Sequence, residues 1–253
     1  MPVIRVETEG FVRTIVMDRP EALNAFNADM VHELCEAFLA AAGDTTVRVA
    51  VLTGAGRAFS AGADLKAMGS PRDTSKRGLE ELMGSILDFP KPLIVAANGV
   101  GAGIGMTLCG VADLTLMAES ARFRAPFSAL GVTAEAASTY TFSRLMGHQA
   151  AAWILLSSEW FSAKQCVEMG LALELVPDDQ CLERARERAR TLAKLPLESL
   201  TTTKRLLMAP HLEAMKRAVA AECRELAALA GGPASREAVA AFREKRDPDF
   251  SRL

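Results

Sequence analysis

The period of apolar and polar positions changes along the chain. Residues 3 to 8 and 11 to 17 alternate or cluster β-branched side chains on either side of Gly10, which predicts a β-hairpin. Pro20 to Asn27 reads as a turn. Asn27 then precedes Met30, Val31, Leu34, Ala37, Phe38 and Ala41, the spacing of an amphipathic helix with an asparagine cap. The apolar run Val47 to Thr53 follows as a buried strand.

The same order recurs downstream. Pro92 to Ala97 reads as a strand, Gly99 to Gly105 as a glycine-rich turn, Ile104 to Gly110 as a short helix and Leu114 to Met117 as another strand. This alternation predicts an α/β fold. From about Glu135 onward strand signals nearly vanish, apart from Leu171 to Val176, and helical spacing dominates 180–194, 197–208, 211–230 and 234–245. Residues 1–195 are therefore expected to form an α/β core and 196–253 a helical region. Gly231-Gly232-Pro233 sets off the last helix, with Ser235 and the nearby Glu237 as its expected cap. A hinge carrying a mobile helix and a simple bend both fit this pattern.

Half of the 253 residues are hydrophobic, enough for a sizeable core. With 29 Lys and Arg against 31 Asp and Glu, there is no global basic field to hold a nucleic acid or an anionic membrane. An anionic ligand must be held locally. Cys35, Cys109, Cys166, Cys181 and Cys223 are scattered without a CxxC pair, which suggests neither a zinc site nor a disulfide framework. The expected setting is reducing. No basic start followed by an apolar stretch is present, and no run of about 18 apolar residues, so a cytoplasmic protein is expected.

Two stretches invite chemistry. Gly54-Ala-Gly-Arg-Ala-Phe-Ser-Ala-Gly-Ala-Asp-Leu-Lys-Ala-Met68 and Ala96-Ala-Asn-Gly-Val-Gly-Ala-Gly-Ile-Gly-Met-Thr-Leu108 each follow a buried strand. Their small residues leave backbone N–H groups accessible where an α/β sheet binds ligands, and such amides favour developing negative charge. Glycines serving only turn geometry would look the same. The second stretch lacks GxGxxG spacing and a clear strand-terminal acid about 20 residues on, which argues against a dinucleotide site.

Together, at this separation, the two stretches resemble the oxyanion-hole segments of the crotonase (enoyl-CoA hydratase/isomerase) superfamily. Arg19-Pro-Glu-Ala-Leu-Asn-Ala25 is similar to the family's early CoA-contacting turn, and Phe242-Arg-Glu-Lys-Arg246 to its terminal helix. The resemblance covers nearly the whole chain. It implies a spiral of ββα units with a C-terminal helical trimerisation region, assembled as a homotrimer or a dimer of trimers. It makes the Ala63 and Ile104 N–H groups oxyanion donors and puts Ala25, Ala61, Asp64, Leu65 and Lys66 beside CoA. Phe242 and Lys245 would close the nucleotide site from a neighbouring subunit, although a solvated basic helix end is the plainer alternative. No metal or separate cofactor is implied, since coenzyme A is part of the substrate.

Hydratases of this family use two glutamates, at positions that read Thr107 and Phe127 here. Neither can serve as a carboxylate base. Residues 125–142, with Glu135 among Ala134, Ala136 and Ala137, resemble instead the peroxisomal-type 3-enoyl-CoA to 2-enoyl-CoA isomerases, in which a glutamate at the Glu135 position is the base. Small apolar neighbours should raise its pKa. An ordinary first-turn helix glutamate is the alternative for that residue. The expected activity is isomerisation of 3-enoyl-CoA thioesters; hydration, or acyl-CoA binding with weak catalysis, are the other readings. Asp64 and Asp113 stay open as acids for other family reactions. His32, His148 and His211 read as structural or surface residues, and Ser60 lacks a GxSxG elbow. Phe59, Met68, Met83, Phe89, Met106 and Phe127 read as core in preference to an acyl tunnel.

Overall fold

The computed structural model describes residues 2–65, 76–251 and 253. Strand β1 (Ile4–Glu9) pairs antiparallel with β2 (Val12–Met17) as the expected hairpin. Helix α1 (Ala28–Gly43) begins at Asn27, whose side chain accepts the Met30 N–H, and buries Met30, Leu34, Cys35, Phe38 and Ala41. The cap is the expected one, and so is most of the stripe, although Val31 and Ala37 are only partly buried and Cys35 joins it.

The next strands come in pairs. β3 (Val49–Gly54) is followed by β4 (Ala58–Ser60), and α2 (Leu79–Leu87) leads on to β5 (Leu93–Ala97) and β6 (Val100–Ala102). After α3 (Ile104–Thr107) come β7 (Leu114–Ala118) and β8 (Arg122–Arg124). The first strand of each pair joins one sheet and the second joins another, so each unit steps one place along both. The chain thus advances as a spiral of ββα units, the arrangement the resemblance implies. β3 and β5 lie inside the parallel part of the larger sheet and are buried throughout, so they read as continuous apolar runs.

Two helices, α4 (Ser138–Met146) and α5 (His148–Ser157), follow the last pair. Then β9 (Trp160–Ser162), α6 (Ala163–Met169) and β10 (Glu174–Val176) complete the two sheets. The larger has the order β1-β2-β3-β5-β7-β10 and the smaller β4-β6-β8-β9. Helix α7 (Cys181–Ala193) lays its buried Ala185, Ala189 and Ala193 over β3 and β5, where small side chains permit close approach. Helices α8 (Leu197–Met208), α9 (Leu212–Leu229) and α10 (Pro233–Glu244) form the C-terminal helical region.

Two expectations are corrected. Gly99 to Gly105 is not only a turn, because Val100–Ala102 pairs with β4 and β8. Nor does Ser235 cap the last helix. Gly232 is the N-cap and Pro233, whose missing N–H suits the first helical turn, starts the helix. Ser235 is buried one turn inside, and the start of α10 folds back onto its own chain. A β-carbon on Gly131 would sit 2.6 Å from the Ser235 nitrogen.

Candidate active site

The first glycine-rich segment is held from both sides by side-chain amides. Asn24 is fully buried; its Oδ1 accepts Arg19 N–H at 2.9 Å, and its Nδ2 donates to the Ala58 and Ala55 carbonyls at 2.8 and 2.9 Å. The Asn98 Oδ1 accepts the Gly54 N–H at 3.1 Å, and its Nδ2 donates to the Gly56 carbonyl at 3.0 Å. Ser60 is wholly buried and structural: its hydroxyl donates to Asn24 O at 2.8 Å and accepts Gly62 N–H at 3.2 Å. Arg19 reaches the Ala25 carbonyl at 2.6 Å and the Asp64 carboxylate at 3.1 Å. Ala61 N–H donates to Leu23 O at 2.9 Å. Phe26 N–H meets Gly62 O at 2.7 Å and Phe26 O accepts Asp64 N–H at 3.0 Å, so these bonds bracket Ala63. Ala63 is exposed, and its N–H has no acceptor among the described residues.

The second segment turns at Gly103, where φ is +52° and the N–H donates to Arg124 O at 2.9 Å. The Gly103 carbonyl accepts the Met106 and Thr107 N–H groups, and Ile104 occupies the first position of α3, where an N–H has no partner within the helix. The two segments touch backbone to backbone. A β-carbon on Gly105 would lie 2.4 Å from Ser60 O, so glycine is needed there. A β-carbon on Gly103 would lie 3.7 Å from both Gly62 Cα and Glu135 Oε1. The structure thus brings Glu135 to the place where the Gly62–Ala63 and Gly103–Ile104 turns meet.

Glu135 keeps part of its surface open, although protein atoms crowd its carboxylate. Burial first, and the negative charge of Glu222 second, raise its pKa to about 7, while the Ile104 N–H pulls the other way. Ala134, Ala136 and Ala137 around it are buried, as expected. Glu135 is not a first-turn helix residue, because α4 starts only at Ser138. Between them, Ala136 and Ala137 both adopt left-handed backbone, with φ of +61° and +60°. The two positions that hold glutamates in family hydratases are closed: Thr107 is fully buried and Phe127 lies in the core.

A groove of about 790 Å³ runs between α2 and α9, lined by Leu79, Ala220, Cys223, Leu226 and Ala227 among others. Cys223 links it to the carboxylates, for burial and then Glu80, Glu222 and Glu135 push its thiol upward. Asp113 is committed elsewhere, accepting Leu93 N–H and the Lys204 ammonium, each at 2.7 Å. Phe59, Met83, Phe89 and Met106 are core residues, and His211 Nδ1 pairs with the Tyr140 hydroxyl at 2.8 Å. Leu65 lies at the end of the described part of the first segment; Lys66 and Met68 lie outside the described residues. Phe242 and Lys245 are exposed at the end of α10. Among the described residues they form no hydrogen bond or ion pair with residues 19–65 of the same chain. No helix among the described residues is long and apolar enough to cross a membrane, and none of their His, Cys, Asp and Glu side chains cluster as a metal site.

Sequence reasoning missed Asn24, Asn98 and Glu222. For Glu222 a signal exists: α9 buries Met215, Val219 and Glu222, so an acid stands on an apolar stripe at helical spacing.

Fold and site define a spiral α/β protein in which two glycine-rich turns meet at the partly buried carboxylate of Glu135. The chain belongs to the enoyl-CoA hydratase/isomerase family, whose model matches residues 7–252. Its relatives include enoyl-CoA delta isomerase 2 of Rattus norvegicus, 35% identical over 89% of this chain and 59% of that protein. They also include 2,3-dehydroadipyl-CoA hydratase of Escherichia coli, 34% identical over 97% of both chains. Among solved structures, an enoyl-CoA hydratase/isomerase from Pseudoalteromonas atlantica superposes with a TM-score of 0.94 at 29% identity, covering 98% of this chain and 99% of that one.

Proposed function

We propose that the protein isomerises 3-enoyl-CoA to 2-enoyl-CoA thioesters, with Glu135 as the only base and the Ala63 and Ile104 N–H groups as the oxyanion hole. The observation that carries this reading is one carboxylate with a pKa of about 7 facing those amides, while residues 107 and 127 are a buried threonine and a core phenylalanine. Hydration needs a held water and a second group to share its protons; isomerisation needs neither.

Ionised Glu135 takes a proton from C2, and the C2–H electron pair becomes the C1–C2 bond of a dienolate. The charge moves onto the thioester oxygen, where two preorganised amides stabilise it, each typically by about 3 kcal/mol. As the carbonyl re-forms, the C1–C2 pair shifts to C2–C3. The former C3–C4 pair takes the proton back from Glu135 at C4, so the atoms balance without a cofactor. A carboxylate with a pKa near neutrality can both accept and return that proton.

In the same reading Ala25, Ala61, Asp64, Leu65 and Lys66 flank the CoA moiety. The groove between α2 and α9 takes the acyl chain, and Phe242 and Lys245 of a neighbouring subunit in a trimer cover the nucleotide. Glu135→Gln tests the assignment. Conversion of a 3-enoyl-CoA, followed by absorbance of the conjugated product, should fall by several orders of magnitude with CoA affinity retained. Turnover at the parental rate would move the base to another residue, and strong hydration of 2-enoyl-CoA by the parent would replace the isomerase reading with a hydratase.

A further inference from the structure

We propose that Glu222 is a positioning residue for Glu135, anchoring from α9 the left-handed turn that carries the base and presenting it with a fixed negative charge. The inference rests on Glu135 being the base. Ala136 and Ala137 hold a conformation that costs an L-residue about 1–2 kcal/mol each, so something must over-determine it. The Glu222 carboxylate does so. One oxygen accepts the Ala137 N–H at 2.7 Å; the other accepts the Thr139 N–H at 2.9 Å and the Thr139 hydroxyl at 2.6 Å.

These are the amides at the start of α4, where Ala137 occupies the cap position without a side chain able to cap. Glu222 supplies that cap from 85 residues away. Burial pushes its pKa upward on balance, while the three donors and the helix N-terminus they belong to pull the other way, toward the charged form. Glu135 is thereby set against a neighbouring charge within one poorly solvated pocket. Among the described residues, the other titratable groups here are Cys223 on α9, Glu80 on α2, and His211 at the start of α9, which is engaged by Tyr140 of α4. Among the described residues no lysine or arginine pairs with either carboxylate. Among the described residues, no acceptor but Glu222 meets the Ala137 and Thr139 N–H groups.

Two substitutions separate the anchor from the charge. Glu222→Gln removes the charge and turns a donor toward one of the amides; Glu222→Asp keeps the charge but withdraws the carboxylate. With 3-enoyl-CoA as substrate, both should lower kcat by about 10- to 100-fold with KM nearly unchanged, because a misplaced base affects the chemical step. In Glu222→Gln the acidic limb of kcat/KM should also move lower, by about one pH unit. In Glu222→Asp it should stay put. Thr139→Val, which deletes one donor to Glu222 at an exposed position, should lower kcat in the same direction by less. Parental kcat in Glu222→Asp and Thr139→Val would overturn the positioning role even if Glu222→Gln failed to fold, and an unmoved limb in folded Glu222→Gln would overturn the charge role. Glu135→Gln is run alongside: parental turnover there moves the base to another residue and removes the reading on which this inference rests, whereas an inactive Glu135→Gln beside parental Glu222 variants defeats only the present inference.

Discussion

Gly62 passes so close to Ala102 that a β-carbon on the glycine would stand 2.7 Å from the Ala102 carbonyl oxygen, and its φ of +88° is one that side chains rarely adopt. This contact locks the first glycine-rich segment to the second one residue before Ala63 and two before Ile104. Gly62→Ala should therefore push the two N–H groups apart. Expected are a loss of about 1–3 kcal/mol in urea unfolding and a fall in kcat of about 100-fold, with substrate binding less affected. Unchanged kinetics in a folded variant would show that the amide pair tolerates separation.

The raised pKa of Glu135 makes activity pH-dependent in a definite direction. With Glu135 as the proposed base, which must be ionised to act, kcat/KM should climb with pH and level off above about 7, the value to which burial and Glu222 raise this carboxyl. A limb near the ordinary carboxylate value would contradict that placement.

Stability should respond with the opposite preference. Between an unfolded value of 4.5 and a folded value of about 7, the native state binds more protons than the unfolded chain, so Glu135 makes the protein less stable as pH rises through that window. Glu135→Gln should stabilise the fold by roughly 1–3 kcal/mol at about pH 8, with the gain shrinking to nothing as pH falls toward 4.5. Paired denaturation curves at the two ends of this range measure it, and a constant difference would mean that the site does not desolvate the carboxylate.

Ala137, at φ +60°, is left-handed without being glycine. Ala137→Gly should relieve that strain and raise stability by about 1 kcal/mol, a gain large enough to exceed the entropy glycine adds to the unfolded chain. Destabilisation in thermal melts would show that the methyl group, fully buried here, contributes more through packing than the backbone costs.

Lys245 ends α10 in a left-handed, exposed cap. If it meets the 3′-phosphate of CoA from a neighbouring subunit, Lys245→Ala should weaken CoA by about 5- to 10-fold and spare 3′-dephospho-CoA. Titration of both ligands over a salt series distinguishes this from a general charge effect, which would weaken the two equally.

The larger sheet and the long helices were legible in the sequence because their patterns run for several periods: the unbroken apolar stretches of β3 and β5, the stripe of α1 behind Asn27, and the terminal helices. Strands β4, β6, β8 and β9 have three residues each, too few to establish a period, and β6 hides among glycines. Glu135 and the two glycine-rich segments stood out through the company they keep in a known family. Asn24 and Glu222 did not, since each acts through contacts with a distant stretch of chain. A carboxylate 85 residues from the amides it caps is visible in sequence only as an acid in the wrong place on a helix.

Because each ββα unit contributes one strand to each sheet, the Ala63 and Ile104 turns are equivalent joints of successive units, set side by side by the same parallel pairing of β4 with β6. What they would offer a substrate in the proposed reading is main chain, which no replacement of side chains at those joints can delete. Glu135, the proposed proton-transfer group, arrives separately, on a loop after β8 that is braced by α9. On the proposed reading such a scaffold is modular: thioester activation would belong to the repeat itself, and the reaction performed on the activated substrate would be set at residues 107, 127 and 135 while the joints stay as they are.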